Sequence, residues 1–305
     1  MALNLNSIIA CVGACGFVSM AAAAPPPPMP DLSPPSDANQ SVFRLQGFDT
    51  TKLADALYTF RWEGTRNIFW VTPDGVIATD PISVSAAKAL RDEIRKVTDK
   101  PVKYVVYSHQ HWDHILGAQI FKDEGAQIVS HKNCVAHFEE LPHPDLVMPD
   151  ITFDGNYELT LGGKTLELIY LGHNHGDCMI VMRPQPYPIL FEVDLVTPFG
   201  VPLGRMNDYS LIPYIKSLRA IEAMDDIETI VPGHRMPTAP ISAVTERRAY
   251  VEALMLAVKK EIEAGTPMNQ IPDKIALPEF AHMRNYDTQI KENVRRVLTH
   301  YNMGW

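Results

Sequence analysis

Apolar residues recur at two different spacings along this chain, and the changes of spacing delimit the predicted elements. Runs of β-branched and aromatic residues at 67–72 and 76–80 flank the turn sequence at 73–75, Pro-Asp-Gly, which predicts a β-hairpin. A helix is predicted next, because Ser83 can cap it and apolar residues then follow at helical spacing. These apolar residues are Val84, Ala87, Leu90, Ile94 and Val97.

The rest of the chain continues to alternate between strands and helices. Strands are predicted at residues 102–107, 126–130, 158–161, 164–170, 178–182, 189–193 and 229–231. Helices are predicted at 115–122, from about 133, at 211–221, and from 250 to a stop at Gly265. Strand-rich halves with interleaved helices favour an α/β fold in which two sheets pack together and helices cover them outside.

Four metal-capable side chains lie within six residues, directly after the strand predicted at 102–107. His109 and His111 are two residues apart, so in an extended segment they point the same way and can bind one cation. Asp113 and His114 follow where the chain is free to turn, and they can reach a second cation. Imidazole nitrogen and carboxylate oxygen are typical zinc ligands, with iron or manganese as substitutes. The cluster therefore predicts a metal site.

The segment 109–114, His-Gln-His-Trp-Asp-His, resembles the H-x-H-x-D-H signature of the metallo-β-lactamase-fold hydrolases. Three further motifs follow in that family's order: residues 171–177, the strand-like run 189–194, and Ile-Val-Pro-Gly-His at 230–234. With its flanking elements the resemblance covers about residues 41–300. It implies an αββα sandwich, in which two mixed β-sheets are covered by helices.

The resemblance also implies a centre for two metals. Its first metal would bind His109, His111 and His175, its second Asp113, His114 and His234, and Asp194 would bridge both. His173 stays an alternative to His175, although Asn-His-Gly-Asp at 174–177 resembles family variants that favour His175. Asp80 ends a predicted strand and resembles the carboxylate that supports the metal loop in relatives.

The function implied is that of a binuclear zinc-dependent hydrolase, with Fe or Mn as alternatives to two Zn²⁺. The metals would lower the pKa of a bridging water from about 15.7 to about 7, and the hydroxide would attack an ester, lactone, thioester or amide-type bond. Asp113 would hold the second metal and orient the nucleophile or shuttle its proton. The commonest zinc β-lactamases have cysteine near the position of Asp194, so the resemblance favours the glyoxalase II and lactonase-like branch.

Two other interpretations of the motifs stay open. One is a mononuclear-iron oxidoreductase of the same fold, similar to a persulfide dioxygenase, and the other is a non-catalytic metal-binding accessory protein. A net charge of −9 without a basic stripe argues against nucleic acid, so a small-molecule substrate is the expected partner. Residues 59–62 and 198–208 are expected to form loops around the site. In them Trp62, Phe199, Val201 and Leu203 would form an apolar wall, and Arg205 would meet a carboxylate.

The N-terminal 40 residues differ from the rest of the chain. Residues 1–24 carry no charge and end in an apolar run, which predicts a secretory signal or anchor segment. Cys11 and Cys15 stand in sequences that resemble lipoprotein cleavage sites. Seven prolines at 25–35 predict an extended linker over 25–40, before a single domain at 41–305. We therefore expect an exported protein, periplasmic or secreted, with membrane contact only through a lipid or N-terminal anchor.

Only Cys134 and Cys178 follow the leader, and two cysteines do not indicate a disulfide framework. Cys178 is expected to be a small buried residue. His131 and His137 are expected at solvated positions of a loop or helix. The sequence does not indicate an oligomeric state.

Overall fold

The structure is a computed structural model, and it describes residues 47–204 and 206–304. The predicted leader at 1–24, the predicted linker at 25–40 and Arg205 lie outside the described residues, so the predictions made for them stay predictions. Within the described ranges, none of the helices combines the length and apolar character that a membrane span requires.

Two mixed β-sheets form the centre of the fold. The first sheet has its strands in chain order: β1 Phe48–Ala54, β2 Leu57–Trp62, β3 Thr65–Thr72, β4 Gly75–Thr79, β5 Val102–Val106, β6 Gln127–His131 and β7 Ile151–Phe153. The second has the order β13-β12-β11-β10-β9-β8, from β8 Tyr157–Leu161, β9 Lys164–Tyr170, β10 Ile180–Gln185, β11 Ile189–Val193, β12 Thr229–Pro232 and β13 Ala239–Pro240. In each sheet, antiparallel pairs adjoin parallel ones.

Helices follow the strands and cover the sheets. They are α1 Val84–Val97, α2 Trp112–Ile115, α3 Gln119–Asp123, α4 Lys132–Glu140, α5 Leu211–Glu222, α6 Ser242–Glu263, α7 Ile271–Lys274 and α8 Tyr286–Met303, with a 3-10 turn at Pro278–Phe280. The predicted cap of α1 is confirmed, because the Ser83 side chain accepts a hydrogen bond from the Ala86 backbone N–H. The hairpin predicted around residues 73–75 is confirmed as β3 and β4.

Three predictions about local structure are wrong. The single helix predicted at 115–122 is divided into α2 and α3, because Gly117 between them has a φ of +89° and lies against the backbone of Ser83. The strand predicted from Cys178 begins at Ile180 instead. Residues 59–62 belong to β2 and are not a loop.

The apolar side chains divide into two clusters that fix the layers. The larger cluster lies between the sheets, where Trp70 and Ile77 of the first sheet share a core with Met182 and Phe191 of the second, and it continues under α5, α6 and α8. The smaller cluster lies on the other face of the first sheet, under α1, α3 and α4. This arrangement is the expected αββα sandwich, and the fold prediction is confirmed.

Candidate metal centre

Histidine and aspartate side chains converge where four loops leave the two sheets. His109, His111, Asp113 and His114 follow β5, His175 follows β9, Asp194 follows β11, and His234 follows β12. The structure thus brings together all seven residues that the motifs selected, in two neighbouring groups. Their role as metal ligands stays a prediction.

The first group contains His109, His111, His175 and Asp194, whose ligand atoms lie within 4.8 Å of one another. His175 Nε2 lies 3.1 Å from His111 Nδ1 and 3.6 Å from Asp194 Oδ2. His109 Nε2 also lies 3.6 Å from Asp194 Oδ2. His173 is exposed and contacts Ser210 Oγ at 3.0 Å, so the structure brings His175 into the group and leaves His173 outside it.

The second group contains Asp113, His114 and His234, again within 4.8 Å of one another. Asp194 lies between this group and the first. Its Oδ2 is 3.2 Å from His114 Nε2, and its Oδ1 is 3.1 Å from His234 Nε2. A carboxylate in this place has oxygens directed at both groups, which is the geometry that a bridging ligand needs.

The donor atoms of the first group fit a cation. His109 is fully buried, and because its Nδ1 contacts Ser108 Oγ at 2.8 Å, its Nε2 faces the group. That Nε2 is buried and has no hydrogen-bond partner among the described residues. Burying unpaired polar atoms costs free energy unless something binds them. A set of imidazole nitrogens and carboxylate oxygens suits zinc, iron or manganese.

The surroundings of the first group favour the protonation states that bind metals. Burial and the neighbouring His111 and His114 hold the pKa of His109 well below its usual value. Burial and the neighbouring His175 lower the pKa of His111 to about 4. Burial alone would raise the pKa of Asp194, but His234 and His114 outweigh it and hold that pKa well below its usual range. At pH 7, His109 and His111 are therefore neutral and Asp194 is ionised, as metal ligation requires.

In the second group, burial alone would lower the pKa of the histidines, but the neighbouring Asp194 outweighs it and raises the pKa of His114 well above its usual value and that of His234 above its own. These two rings therefore have to lose a proton when a metal binds.

Two residues outside the groups support them. Asp80 is fully buried, accepts a 2.8 Å hydrogen bond from the Ser108 backbone N–H and places Oδ2 3.6 Å from His114 Nδ1. Gly233 precedes His234, and a Cβ at that position would lie 2.7 Å from Asp194 Oδ1. Only glycine therefore leaves room for the Asp194 carboxylate.

Asp208 and Tyr209 reach the centre without having been selected from the sequence. Asp208 Oδ2 lies 3.4 Å from His111 Nε2 and 3.3 Å from His175 Nδ1. The Tyr209 hydroxyl donates to the Asp194 backbone carbonyl at 2.5 Å. Neither residue belongs to a motif. The only sequence signal was the loop predicted at 198–208 around the site, in which Asp208 is the last residue and which Tyr209 follows.

A cavity of about 480 Å³ opens beside both groups. Its polar side is formed by His175, Asp194, Asp208 and His234, and its apolar side includes Val196, Pro202, Leu203 and Met206. The expected apolar wall is therefore right for Leu203 and wrong for the other three residues. Phe199 is 45% exposed and does not line the cavity. Trp62 stacks on Phe48, with ring centroids 5.7 Å apart, and Val201 is buried in the core.

Residues behind the first group correct two further expectations and confirm a third. Cys134 in α4 and Cys178 form a disulfide, although the sequence indicated none. His131 is buried rather than solvated: it caps α4 and stacks on Tyr170, with ring centroids 4.1 Å apart. His137 lies in α4 with 36% of its side chain exposed, as expected, and its Nε2 contacts Asp177 Oδ1 at 2.6 Å.

Comparison with known proteins gives a family match and curated relatives. The family model described as Metallo-beta-lactamase superfamily matches residues 62–234, more than half of the chain. A metallo-beta-lactamase type 2 from Elizabethkingia meningoseptica is 25% identical over 194 residues, which cover 60% of this chain and 77% of that protein. A linear primary-alkylsulfatase from Pseudomonas sp. (strain ATCC 19151) is 43% identical over 291 residues, covering 76% of this chain and 54% of that protein. This chain thus spans about half the length of that alkylsulfatase.

Solved structures share the fold. A stereoselective inverting sec-alkylsulfatase from Pseudomonas sp. matches with a TM-score of 0.72 and 16% identity, over 84% of this chain and 50% of that one. A metallo-beta-lactamase from Pontibacter korlensis matches with a TM-score of 0.61 and 20% identity, over 68% of this chain and 99% of that one. At these identities the likeness concerns the fold alone.

Proposed function

The chain belongs to the metallo-beta-lactamase superfamily, and we propose that it is a hydrolase that holds two zinc ions in this centre. Its substrate is a small molecule, in which it cleaves an ester, lactone, thioester or amide-type bond. One observation carries the proposal. Two groups of ligand atoms, each within 4.8 Å, lie on either side of the Asp194 carboxylate. Because the Asp194 carboxylate lies between two groups of ligand atoms and is not enclosed in a single site, the arrangement favours two cations over one.

The residues of the two groups have distinct parts in the proposed reaction. When bound, metal ions in such a centre lower the pKa of a coordinated water and polarise the oxygen of the scissile bond. Asp194 is 10% exposed and is enclosed by histidines, so its role is to hold the two sites together. Asp113 is 35% exposed, and its Oδ2 lies 3.6 Å from His234 Nε2. It is the carboxylate that water can reach, so it can orient the attacking water or accept its proton.

A sulfate ester is a second candidate substrate. The observation that favours it is the 43% identity to the linear primary-alkylsulfatase over three quarters of this chain. The cavity supports a substrate with an apolar portion, because Val196, Pro202 and Leu203 line it together with the polar residues.

The test is metal analysis of the purified protein, followed by hydrolysis of alkyl sulfates, lactones, thioesters, β-lactams and phosphodiesters. We expect two zinc ions per chain and activity that chelation removes and zinc restores. The chain offers a matched pair of variants. His175→Ala is expected to lose one metal and the activity, whereas His173→Ala, two residues away and outside the groups, is expected to keep both.

Three results would refute parts of the proposal. Failure to bind any divalent metal, with no hydrolysis after addition of zinc, manganese or iron, would exclude a metallohydrolase. A single iron per chain without hydrolysis would indicate the oxygen-handling alternative. Full activity of Asp113→Ala with two metals bound would remove Asp113 from the proton-transfer role.

We also propose that the protein is exported to an oxidising compartment. The disulfide between Cys134 and Cys178 supports this, because such bonds persist in secreted and periplasmic proteins and are rare in the cytosol. Fractionation of cells that produce the full chain would test it. The protein is expected in the exported fraction with Cys134 and Cys178 protected from thiol labelling, and recovery in the cytosol with these two thiols reactive would contradict it.

A further inference from the structure

We propose that Asp208 is a positioning residue of the centre, which fixes the orientation of His111 and His175 at once. The inference rests on the proposed function, since it concerns how the first group is held for a metal. A single oxygen of Asp208, Oδ2, lies 3.4 Å from His111 Nε2 and 3.3 Å from His175 Nδ1. Asp208 is not one of the residues whose ligand atoms form the two groups.

In each of the two histidine rings, one nitrogen faces the first group and the other faces Asp208. His111 Nδ1 and His175 Nε2 lie 3.1 Å from each other, and His175 Nε2 also faces Asp194. The other nitrogen of each ring, His111 Nε2 and His175 Nδ1, faces Asp208. His175 Nδ1 is buried and makes no hydrogen bond to any other residue among 47–204 and 206–304. The Asp208 carboxylate, 3.3 Å away, is therefore the acceptor placed to receive a proton on this nitrogen. Protons on the nitrogens that face Asp208 leave the inward pair as free ligands.

The backbone holds Asp208 in this place by pairing two loops. The Asp208 carbonyl accepts from the Gly176 N–H at 2.8 Å, and the Ser210 N–H donates to the Asn174 carbonyl at 2.9 Å. Residues 208–210 therefore run beside 174–176, with His175 and Tyr209 as bridge partners. A shift of the loop after β11 would move Asp208 and the His175 loop together.

The C-terminal helix α8 adds a second restraint on the same loop. Arg296 is 4% exposed, and its Nε donates to the Met206 carbonyl at 2.9 Å, while its Nη2 donates to the Tyr209 carbonyl. Along the chain, Asp208 thus lies between two residues whose backbone carbonyls accept hydrogen bonds from a buried arginine. Carboxylates that accept the second ring N–H of a metal-binding histidine fix its orientation and make it a stronger ligand, and their removal typically lowers metal affinity about 10- to 100-fold.

The test compares metal titrations of the full chain and of three variants. Asp208→Ala removes the acceptor, and Asp208→Asn keeps its size and one acceptor oxygen but removes the charge. Asp225→Asn removes one carboxylate from an exposed turn after α5 and is the matched control. We expect Asp208→Ala to weaken one of two zinc sites about 10- to 100-fold, Asp208→Asn to weaken it less, and Asp225→Asn to titrate as the unaltered chain.

A spectroscopic readout separates positioning from a general structural role. Long-range ¹H–¹⁵N spectra of the histidine rings report which nitrogen carries the proton. In the unaltered chain we expect the protons of His111 and His175 on Nε2 and Nδ1, and in Asp208→Ala a mixture of tautomers in both rings. Cobalt substituted at the first site should change its visible absorption in the variant while the second site keeps its bands.

The outcomes are distinct from those of the proposed function. If the unaltered chain binds no metal, the proposed function fails, and the ring spectra of the metal-free protein still decide the orientation. The inference is overturned if the rings keep one tautomer in Asp208→Ala. It is also overturned if both sites weaken equally with a lower unfolding midpoint, or if one metal is absent even at saturation, which would make Asp208 a direct ligand.

Discussion

Removal of the disulfide is expected to destabilise the domain strongly. The bond joins Cys134 in α4 to Cys178, 44 residues further along the chain, and both residues are fully buried. Cys178 lies three residues after His175. Its Sγ is 3.1 Å from Oε1 of Gln110, the residue that separates His109 from His111 in the sequence. The bond therefore fixes a loop of the candidate centre as well as the sheet-to-helix packing.

The magnitude follows from the length of chain that the bond closes. Because the two cysteines are separated by 44 residues, the loss of loop-closure entropy in the unfolded chain corresponds to about 4 kcal/mol at 25 °C. Domains of this kind are typically stable by only about 5–15 kcal/mol, so the loss would be a large part of the total. Reduction is also expected to weaken zinc binding at the first group, because the His175 loop loses its covalent link to α4.

The assay is urea unfolding of the unaltered chain with and without reductant, beside the double variant Cys134→Ala/Cys178→Ala. The variant removes both sulfurs, so it avoids two buried thiols, and its midpoint should not respond to reductant. We expect the reduced chain and the variant to be less stable than the oxidised chain by about 4 kcal/mol. The reasoning fails if reductant leaves the midpoint unchanged although thiol labelling of the unfolded protein shows that Cys134 and Cys178 are both free.

Three further substitutions test packing at separate places. Gly233→Ala is expected to lower metal content more than stability, because its Cβ would lie 2.7 Å from Asp194 Oδ1. Gly117→Ala is expected to cost at least about 2 kcal/mol in urea unfolding, since a φ of +89° is unfavourable for alanine and the Cβ would overlap the Ser83 backbone. Phe191→Ala is expected to cost about 3–5 kcal/mol in the same assay, because this fully buried ring leaves a cavity between the sheets.

Each of these substitutions has a matched control. Gly200→Ala places its Cβ 3.4 Å from the nearest atom and should keep its metal, and equal losses in Gly233→Ala and Gly200→Ala would contradict the crowding argument. Gly125→Ala has a φ of +93° with open space around it, so it isolates the backbone term from the overlap at Gly117. Leu256 is 67% exposed, and Leu256→Ala should change stability by less than about 0.5 kcal/mol. A Phe191→Ala cost within that range would count against the inter-sheet core.

Most local elements follow from periodicity, and the failures have a common cause. The hairpin of β3 and β4, the cap at Ser83 and α1 depend on neighbours in sequence, and all were predicted. The division between α2 and α3 depends on the contact of Gly117 with Ser83, 34 residues earlier in the chain, which no local pattern shows. The strands β1 and β2, which pair with each other as an antiparallel hairpin, were not predicted.

The candidate centre divides in the same way. Its histidines and aspartates stand in motifs with fixed spacing, so the sequence could select them, and it could favour His175 over His173 from the adjoining residues. Asp208 has no such pattern. Its place depends on the pairing of residues 208–210 with 174–176 and on Arg296, whose partners lie about 90 residues earlier in the chain. The disulfide escaped prediction for the same reason, since nothing local indicates that residues 44 apart lie side by side.

The loops of the centre are held mainly by one another. The Gly233 N–H donates to the Val193 carbonyl at 2.6 Å, beside Asp194, and the Ile180 N–H donates to the Ser108 carbonyl at 2.9 Å, beside His109. Each contact joins a loop of one motif to a neighbouring strand or loop of the centre. The two apolar clusters stabilise the sheets on which these loops stand, so the fold does not depend on a metal in the way that a zinc finger does. Packing imidazoles and carboxylates together without a metal costs free energy, and the burial of the two apolar clusters offsets this cost in the metal-free protein. Metal binding would then add to the stability of the folded domain by mass action.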